Sequence, residues 1–290
     1  MGGASLVYGI GAAKAGTTWL HRVLSAHPGC HFRAVKELHY FDTAPGDMRR
    51  DRLSAKRLKA LNRRRAKATG DSRDLGRKLA DTRDWRAMMV AGGDGHQAYL
   101  DYLNAGNEGG KLVGDITPSY ATLTEARFAE MAALGRNARF IFLMRDPFDR
   151  LWSNIRMSAY RETNGGAQYA KRATKLLDSF NDGHHPGAEA RSDYAATLRR
   201  LQGAVAKDKV LTGFFEDLFT QDALDRITAF LGLAPIRADL QAKVHAGHDL
   251  TPDDDRRARA VDRLRPQYDA VSQYLAGPLP ARWQAQLSRG

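Results

Sequence analysis

The chain has 290 residues, 43% of them hydrophobic and 9% aromatic, enough to bury one large core, or one core with a small appendage. Its net charge of +12 points to a polyanionic partner: nucleic acid, an anionic membrane face or an acidic small molecule. No apolar run approaches the roughly 18 residues of a membrane span, the one cysteine, Cys30, excludes an internal disulfide, and no ligand cluster has zinc spacing.

Residues 5–13 are too short for a secretory signal and lack its basic start, so with a single cysteine the expectation is a cytoplasmic protein. The first element is a short apolar strand from Leu6 to Ile10. It passes through a loop of small residues, Gly11 to Gly16, into a helix on which Leu20, Val23 and Leu24 share a face. That order aims a helix N-terminus and its free backbone N–H groups at an anion. Gly16 permits dihedrals that a side chain would forbid. Gly11 and Gly16 have the spacing of a Walker loop, but Thr17 and Thr18 follow where that motif needs Lys and then Ser or Thr. The lysine is Lys14 instead, so the loop can still cradle a phosphate with its cation at a different place; a tight strand–helix turn without a ligand is the plainer reading.

After a turn through His27, Pro28 and Gly29, a brief strand leads into a loop at the edge of a cleft. Lys36, Glu37, His39 and Asp42 fall close together there among Leu38, Tyr40 and Phe41. A carboxylate and an imidazole beside apolar groups are candidates for proton removal; a surface loop with a Lys36–Glu37 ion pair is the plainer reading. From Arg49 to Lys67 ten lysines and arginines face a single acid, Asp51, with Leu53, Leu58 and Leu61 as a thin apolar stripe. The expectation is a basic helical insertion at about 45–95, either a solvated surface or an arm that gathers an acidic acceptor or anionic lipid heads.

Residues 111–115 read as a strand ending in Asp115, which suits either a turn or a Walker-B-like magnesium ligand. Helical period returns at 124–134. The apolar run Arg139 to Met144 fits a buried parallel strand. Arg145, Asp146 and Pro147 follow, with Pro147 suited to a first helical turn and Arg145 at the carboxyl edge of the sheet, where open α/β sheets bind ligands. Ser153, about two turns on, joins a guanidinium to a hydroxyl, a clamp for a phosphate monoester. Residues 164–190 read as a mobile loop, Lys209 to Phe215 as another strand, and a helix runs to Leu231 with Gly232 as its cap. Strands alternating with helices argue an α/β fold: a single P-loop-like domain over 1–290 with a central parallel sheet flanked by helices.

Four stretches resemble one family. Lys14 through Leu20 is similar to the P-K-S/A-G-T-T-W-L loop of the sulfotransferases, with Ala13 in place of proline. Lys36 to Asp42 is similar to the K-E-x-H-F-F-D segment of the heparan-sulfate-type and bacterial carbohydrate sulfotransferases. Arg145 to Ser153 resembles their R-D-P-x-x-R-x-x-S motif. Softer likenesses are Gly114 to Tyr120, where Ile116 replaces a lysine, and Phe215 to Leu218, where Phe215 replaces a tyrosine. The resemblance implies 3′-phosphoadenosine 5′-phosphosulfate (PAPS) as donor and 3′-phosphoadenosine 5′-phosphate (PAP) as product, without a metal. Lys14, Ala15, Gly16, Thr17, Thr18 and Trp19 would hold the 5′ end, and Arg145 and Ser153 the 3′-phosphate. Glu37 would be the catalytic base, His39 the runner-up, and Lys14 would stabilise the leaving phosphate. A loop at His245 to Asp249 would approach the nucleotide.

The implied acceptor is a hydroxyl or amine on a carbohydrate, a lipid or a small metabolite, with anionic character and peripheral contact to an anionic membrane left open, and with no specific nucleic acid. Oligomeric state is not legible. Two other readings use the same features: a P-loop small-molecule kinase working on ATP and magnesium, and a non-catalytic polyanion-binding protein.

Overall fold

A computed structural model describes residues 5–43, 47–67, 73–91, 96–135, 137–237 and 250–289. Its centre is a five-stranded, all-parallel sheet: β1 (Leu6–Gly11), β2 (Cys30–His31), β3 (Leu112–Ile116), β4 (Arg139–Met144) and β5 (Val210–Phe214), in the spatial order β2-β3-β1-β4-β5. Every residue of β1 and β3 is buried, as a parallel strand covered on both faces requires. This is the α/β architecture that the alternating pattern predicts.

Twelve helices are described: α1 (Thr17–Ala26), α2 (Met48–Ala66), α3 (Arg73–Ala91), α4 (Gln97–Asn104), α5 (Glu125–Ala133), α6 (Pro147–Thr163), α7 (Tyr169–Asn181), α8 (Pro186–Ser192), α9 (Tyr194–Ala204), α10 (Gln221–Leu231), α11 (Asp254–Leu275) and α12 (Ala281–Leu287). The basic stretch forms α2, which packs along α3. None of the described helices is long and apolar enough to cross a membrane. Helix ends follow local chemistry. Asp146, Asp193, Thr220 and Asp253 each accept a first-turn N–H with the side chain, and Gly232 closes α10 at φ 69°.

Residues 164–190 are not the loop that their glycines and histidines suggest. They hold α7 and α8, because Ala173, Leu176, Leu177 and Phe180 recur at helical spacing and bury one face. The His245–Asp249 stretch lies outside the described residues.

The C-terminal helix wedges one large side chain into the core. Trp283 is fully buried, with ring centroids 5.3 Å from Phe214 on β5, 5.8 Å from Tyr268 on α11 and 6.3 Å from Tyr194 on α9. It therefore supports three elements that converge behind the carboxyl edge of the sheet. Trp283→Ala is expected to lower unfolding free energy by about 3–5 kcal/mol, read from urea denaturation followed by circular dichroism.

Candidate functional site

The carboxyl ends of β1 and β4 are neighbours in the sheet, so the segments that leave them share one cleft. The loop after β1 turns through Lys14 at φ 74° and Gly16 at φ 90°; a Cβ on Gly16 would collide with Leu218. Only glycine meets both demands at that position. The loop delivers the chain into α1, whose first-turn amides, from Gly16 to Trp19, precede the first intrahelical bond, Leu20 N to Gly16 O. Thr17 and Ala15 are buried, and Thr18 is half-buried. Trp19 turns its side chain into the core, edge-on to Phe219 at 5.7 Å, so only its main chain is left for an anion.

Arg145 leaves the end of β4 on the same side. Its Nη1 donates to the Lys14 carbonyl at 3.4 Å, and its guanidinium lies 4.4 Å above the centre of the Phe215 ring. The backbone around it is locked: the Tyr194 hydroxyl donates to the Arg145 carbonyl at 2.8 Å, and Glu216 Oε1 accepts from the Asp146 N–H at 2.9 Å. The nearby carboxylate of Asp149 meets Arg282 at 2.7 Å. Arg145 Nε is buried and has no protein partner among the described residues. A buried donor without a partner is costly, and an anionic oxygen is the natural complement.

Lys14 Nζ contacts Met157 Sδ on α6 at 3.8 Å. Ser153 lies one turn earlier on that helix, on the same face. Burial lowers the Lys14 ammonium below the ordinary lysine range, and repulsion from Arg145, Arg161 and Arg156 lowers it further. Burial likewise lowers Arg145 against the pull of Asp149 and Glu216. Such a gathering of cations is relieved when an anion enters between them.

The Glu37 segment faces this group. Burial alone would raise the Glu37 carboxyl; Lys36, 2.8 Å from Oε1, together with His39 and Arg57, holds it below the usual range. His39 Nδ1 meets Asp42 Oδ2 at 2.8 Å, and that carboxylate also accepts from the Ser119 hydroxyl. In a neutral ring this places the proton on Nδ1 and leaves Nε2 open, 3.9 Å from Glu37 Oε2. The predicted residues Lys14, Gly16, Thr17, Thr18, Arg145, Ser153, Glu37 and His39 thus belong to one neighbourhood. Asp115 does not join it. It is buried, its Oδ1 accepting from Thr117 at 2.6 Å and its Oδ2 from Tyr120 at 2.7 Å and Tyr99 at 3.1 Å. The carboxylate that a Walker reading would give to magnesium is committed to the core. Met157, Phe215 and Arg57 were not legible in advance. Phe215 had the one available signal, its place in the motif that follows β5.

A glycine-bearing strand–loop–helix turn with a lysine and an arginine at the carboxyl edge of a parallel sheet defines an α/β anion-binding fold of the P-loop type. The chain belongs to the sulfotransferase family, whose model, described as Sulfotransferase family, matches residues 7–236. Solved structures agree on the fold. A sulfotransferase from Alicyclobacillus acidocaldarius is 18% identical with a TM-score of 0.64, covering 97% of this chain and 98% of that one. The sulfotransferase domain of the Synechococcus PCC 7002 olefin synthase is 19% identical with a TM-score of 0.51, covering 97% and 98%. The sulfotransferase domain of the curacin biosynthetic pathway is 17% identical with a TM-score of 0.53, covering 97% and 99%. No curated protein sequence gives a significant match.

Asp146 supports the Arg145 turn and titrates unusually. Burial pushes its carboxyl up to about 7, with repulsion from Asp149 and Glu216 adding to the rise and bonds from the Asp149 N–H and Tyr268 hydroxyl opposing it. Between about pH 4, where an unfolded Asp loses its proton, and the folded value near 7, the native state keeps a proton that the unfolded chain has released. The contribution of Asp146 to stability therefore falls as pH rises through that window, by roughly 1 kcal/mol per pH unit. Asp146→Asn, which can still cap α6, is expected to remove this contribution, so that its stability relative to the wild type rises from pH 5 to pH 7 in urea titrations.

Proposed function

We propose that this sulfotransferase moves the sulfuryl group of PAPS to a hydroxyl or amine of a carbohydrate, lipid or small-metabolite acceptor, leaving PAP. The observation that carries the reading is the meeting of two cationic grips in one cleft: Arg145 Nη1 reaches the carbonyl of Lys14, while Arg145 Nε waits unpartnered in the interior. A donor with phosphate at both ends of its ribose needs two such grips. Lys14 Nζ, the Thr17 and Thr18 hydroxyls and the amides from Ala15 to Trp19 take the 5′ end; Arg145 and Ser153 take the 3′-phosphate.

Bound PAPS supplies an activated sulfuryl group on a phosphate leaving group. Lys14 and the aligned first-turn amides favour negative charge on that phosphate more strongly in the transition state than in the ground state. Glu37, ionised at neutral pH, accepts the acceptor's proton at a carboxylate oxygen. Its low basicity confines that transfer to the stage at which the acceptor's bond to sulfur forms. His39, oriented by Asp42, stands beside it as the second candidate base. Lys36 positions the acceptor or the sulfuryl oxygens.

The exposed basic face of α2, carrying Lys56, Lys59, Arg63, Arg64 and Arg65, gives an anionic acceptor a place to gather near Glu37. The same face serves a non-catalytic polyanion binder, whose affinity would fall steeply with salt and survive loss of Lys14 and Arg145. A single cysteine, buried with its thiol pushed up to about 12 by burial, is consistent with work in the cytoplasm.

Calorimetry separates these readings. PAP is expected to bind in preference to ATP with magnesium, and Arg145→Ala to abolish that preference; equal binding of the two nucleotides rejects the proposal. With radiolabelled PAPS and a panel of hydroxyl acceptors, Lys14→Ala should lose about 3–4 kcal/mol of transition-state stabilisation. Glu37→Gln should lose turnover while keeping PAP affinity. Unimpaired turnover in either folded variant removes that residue from its assigned role.

A further inference from the structure

The backbone that carries Glu37 is held in a conformation it would not choose alone. Glu37 has φ 61° and His39 φ 56°, on either side of the buried Leu38. Non-glycine residues visit this left-handed region rarely, and they persist in it where the surroundings over-determine them. Most of the determining contacts come from α2 and α3. Trp85 Nε1 donates to the Leu38 carbonyl at 3.0 Å, Arg57 Nη2 donates to the Glu37 carbonyl at 3.0 Å, and Asp81 Oδ2 accepts from the Val35 N–H at 2.6 Å. The other oxygen of Asp81 binds Arg33 Nε, whose Nη2 reaches Asp84 at 2.7 Å. Trp85 is fully buried, and the Arg57 guanidinium lies 4.6 Å over its ring. The two helices therefore grip the main chain at Val35, Glu37 and Leu38 with three side chains.

We infer that α2 and α3 are a brace for the catalytic segment, and that Arg57, Trp85 and Asp81 are positioning residues for Glu37. The inference rests on reading Glu37 as the base. It distinguishes one cation in the basic stretch from its neighbours: Lys56, Lys59, Arg63, Arg64 and Arg65 face solvent, whereas Arg57 turns inward onto the segment. Arg57 acts in two ways. Its hydrogen bond fixes the peptide that follows Glu37, and its charge favours the ionised carboxylate. Among the described residues, the other charged or titratable groups facing that carboxylate are Lys36 and His39 on its own segment, Lys14 from the loop after β1 and His21 from α1. Removing Arg57 leaves the carboxylate with less compensation, so its pKa rises.

Two variants test the brace: Arg57→Ala removes charge and donor, and Trp85→Phe removes only the indole donor while keeping a ring. Hydrogen exchange read by mass spectrometry is expected to show amides 35–41 losing protection by about tenfold or more in both variants, with β1 unchanged. PAP affinity by calorimetry should stay at the wild-type value, because the donor grips lie on other elements. With phenol as probe acceptor, kcat should fall roughly 10- to 100-fold, as misplacement of a reacting group does. In Arg57→Ala the acid limb of the kcat/KM profile should move to higher pH, since Glu37 then needs a higher pH to ionise; in Trp85→Phe it should not move. A loss of packing alone would lower the profile without displacing that limb. Unchanged exchange at 35–41, or protection lost evenly across this segment and β1, overturns the inference. Failure of the Glu37 assignment reads differently: Glu37→Gln would then turn over normally whatever the exchange data show.

Discussion

Two like charges held close together are the constraint around which the molecule is built. Lys14 and Arg145 lie far apart in sequence and meet because β1 and β4 are adjacent parallel strands whose carboxyl ends open on the same side. Both are partly withdrawn from water, and the charge of Arg145 lowers the affinity of Lys14 for its proton. Left alone, that arrangement is unfavourable. An anion entering between the two side chains would relieve that repulsion.

Much of the tertiary structure can be read as support for that placement. Tyr194 on α9 holds the carbonyl of Arg145, Glu216 beyond β5 holds the next amide, and Asp146 caps α6 while accepting from Tyr268 on α11. Trp283 then packs among Tyr194, Tyr268 and Phe214. The C-terminal helices thus set the position of a residue more than a hundred places earlier through a few aromatic contacts. On the opposite side of the cleft the same logic applies to Glu37. Its peptide is gripped from α2 and α3, and Tyr120, itself donating to the buried Asp115, accepts from the Tyr40 N–H at 2.9 Å. A buried carboxylate that resembles a metal ligand in sequence works instead as the anchor of a hydroxyl network beneath the Glu37 segment.

The sulfotransferase family was legible before any coordinates because its signals are local. A left-handed glycine before a helix, a lysine two residues ahead of it, and Arg-Asp-Pro at the end of an apolar strand are each short-range consequences of chain chemistry. The parallel sheet followed from alternation of strands and helices, and α10 from its glycine cap. The reading failed between 164 and 190, where glycine and histidine content outweighed an apolar stripe that packing converts into α7 and α8.

What the sequence by itself determined is therefore the sheet class, the phosphate-type loop and the identities of Lys14, Glu37 and Arg145 as chemically marked residues. Only the tertiary structure decided how they are placed. Ten cations between Arg49 and Lys67 are equivalent by composition, and nothing in their order says that Arg57 reaches the Glu37 carbonyl. Likewise Asp115 and Asp42 are both short carboxylates near apolar residues, yet one lies beneath three hydroxyls and the other orients an imidazole. Direction, burial and partnership arise from packing between elements distant in the chain, and no local pattern carries that information.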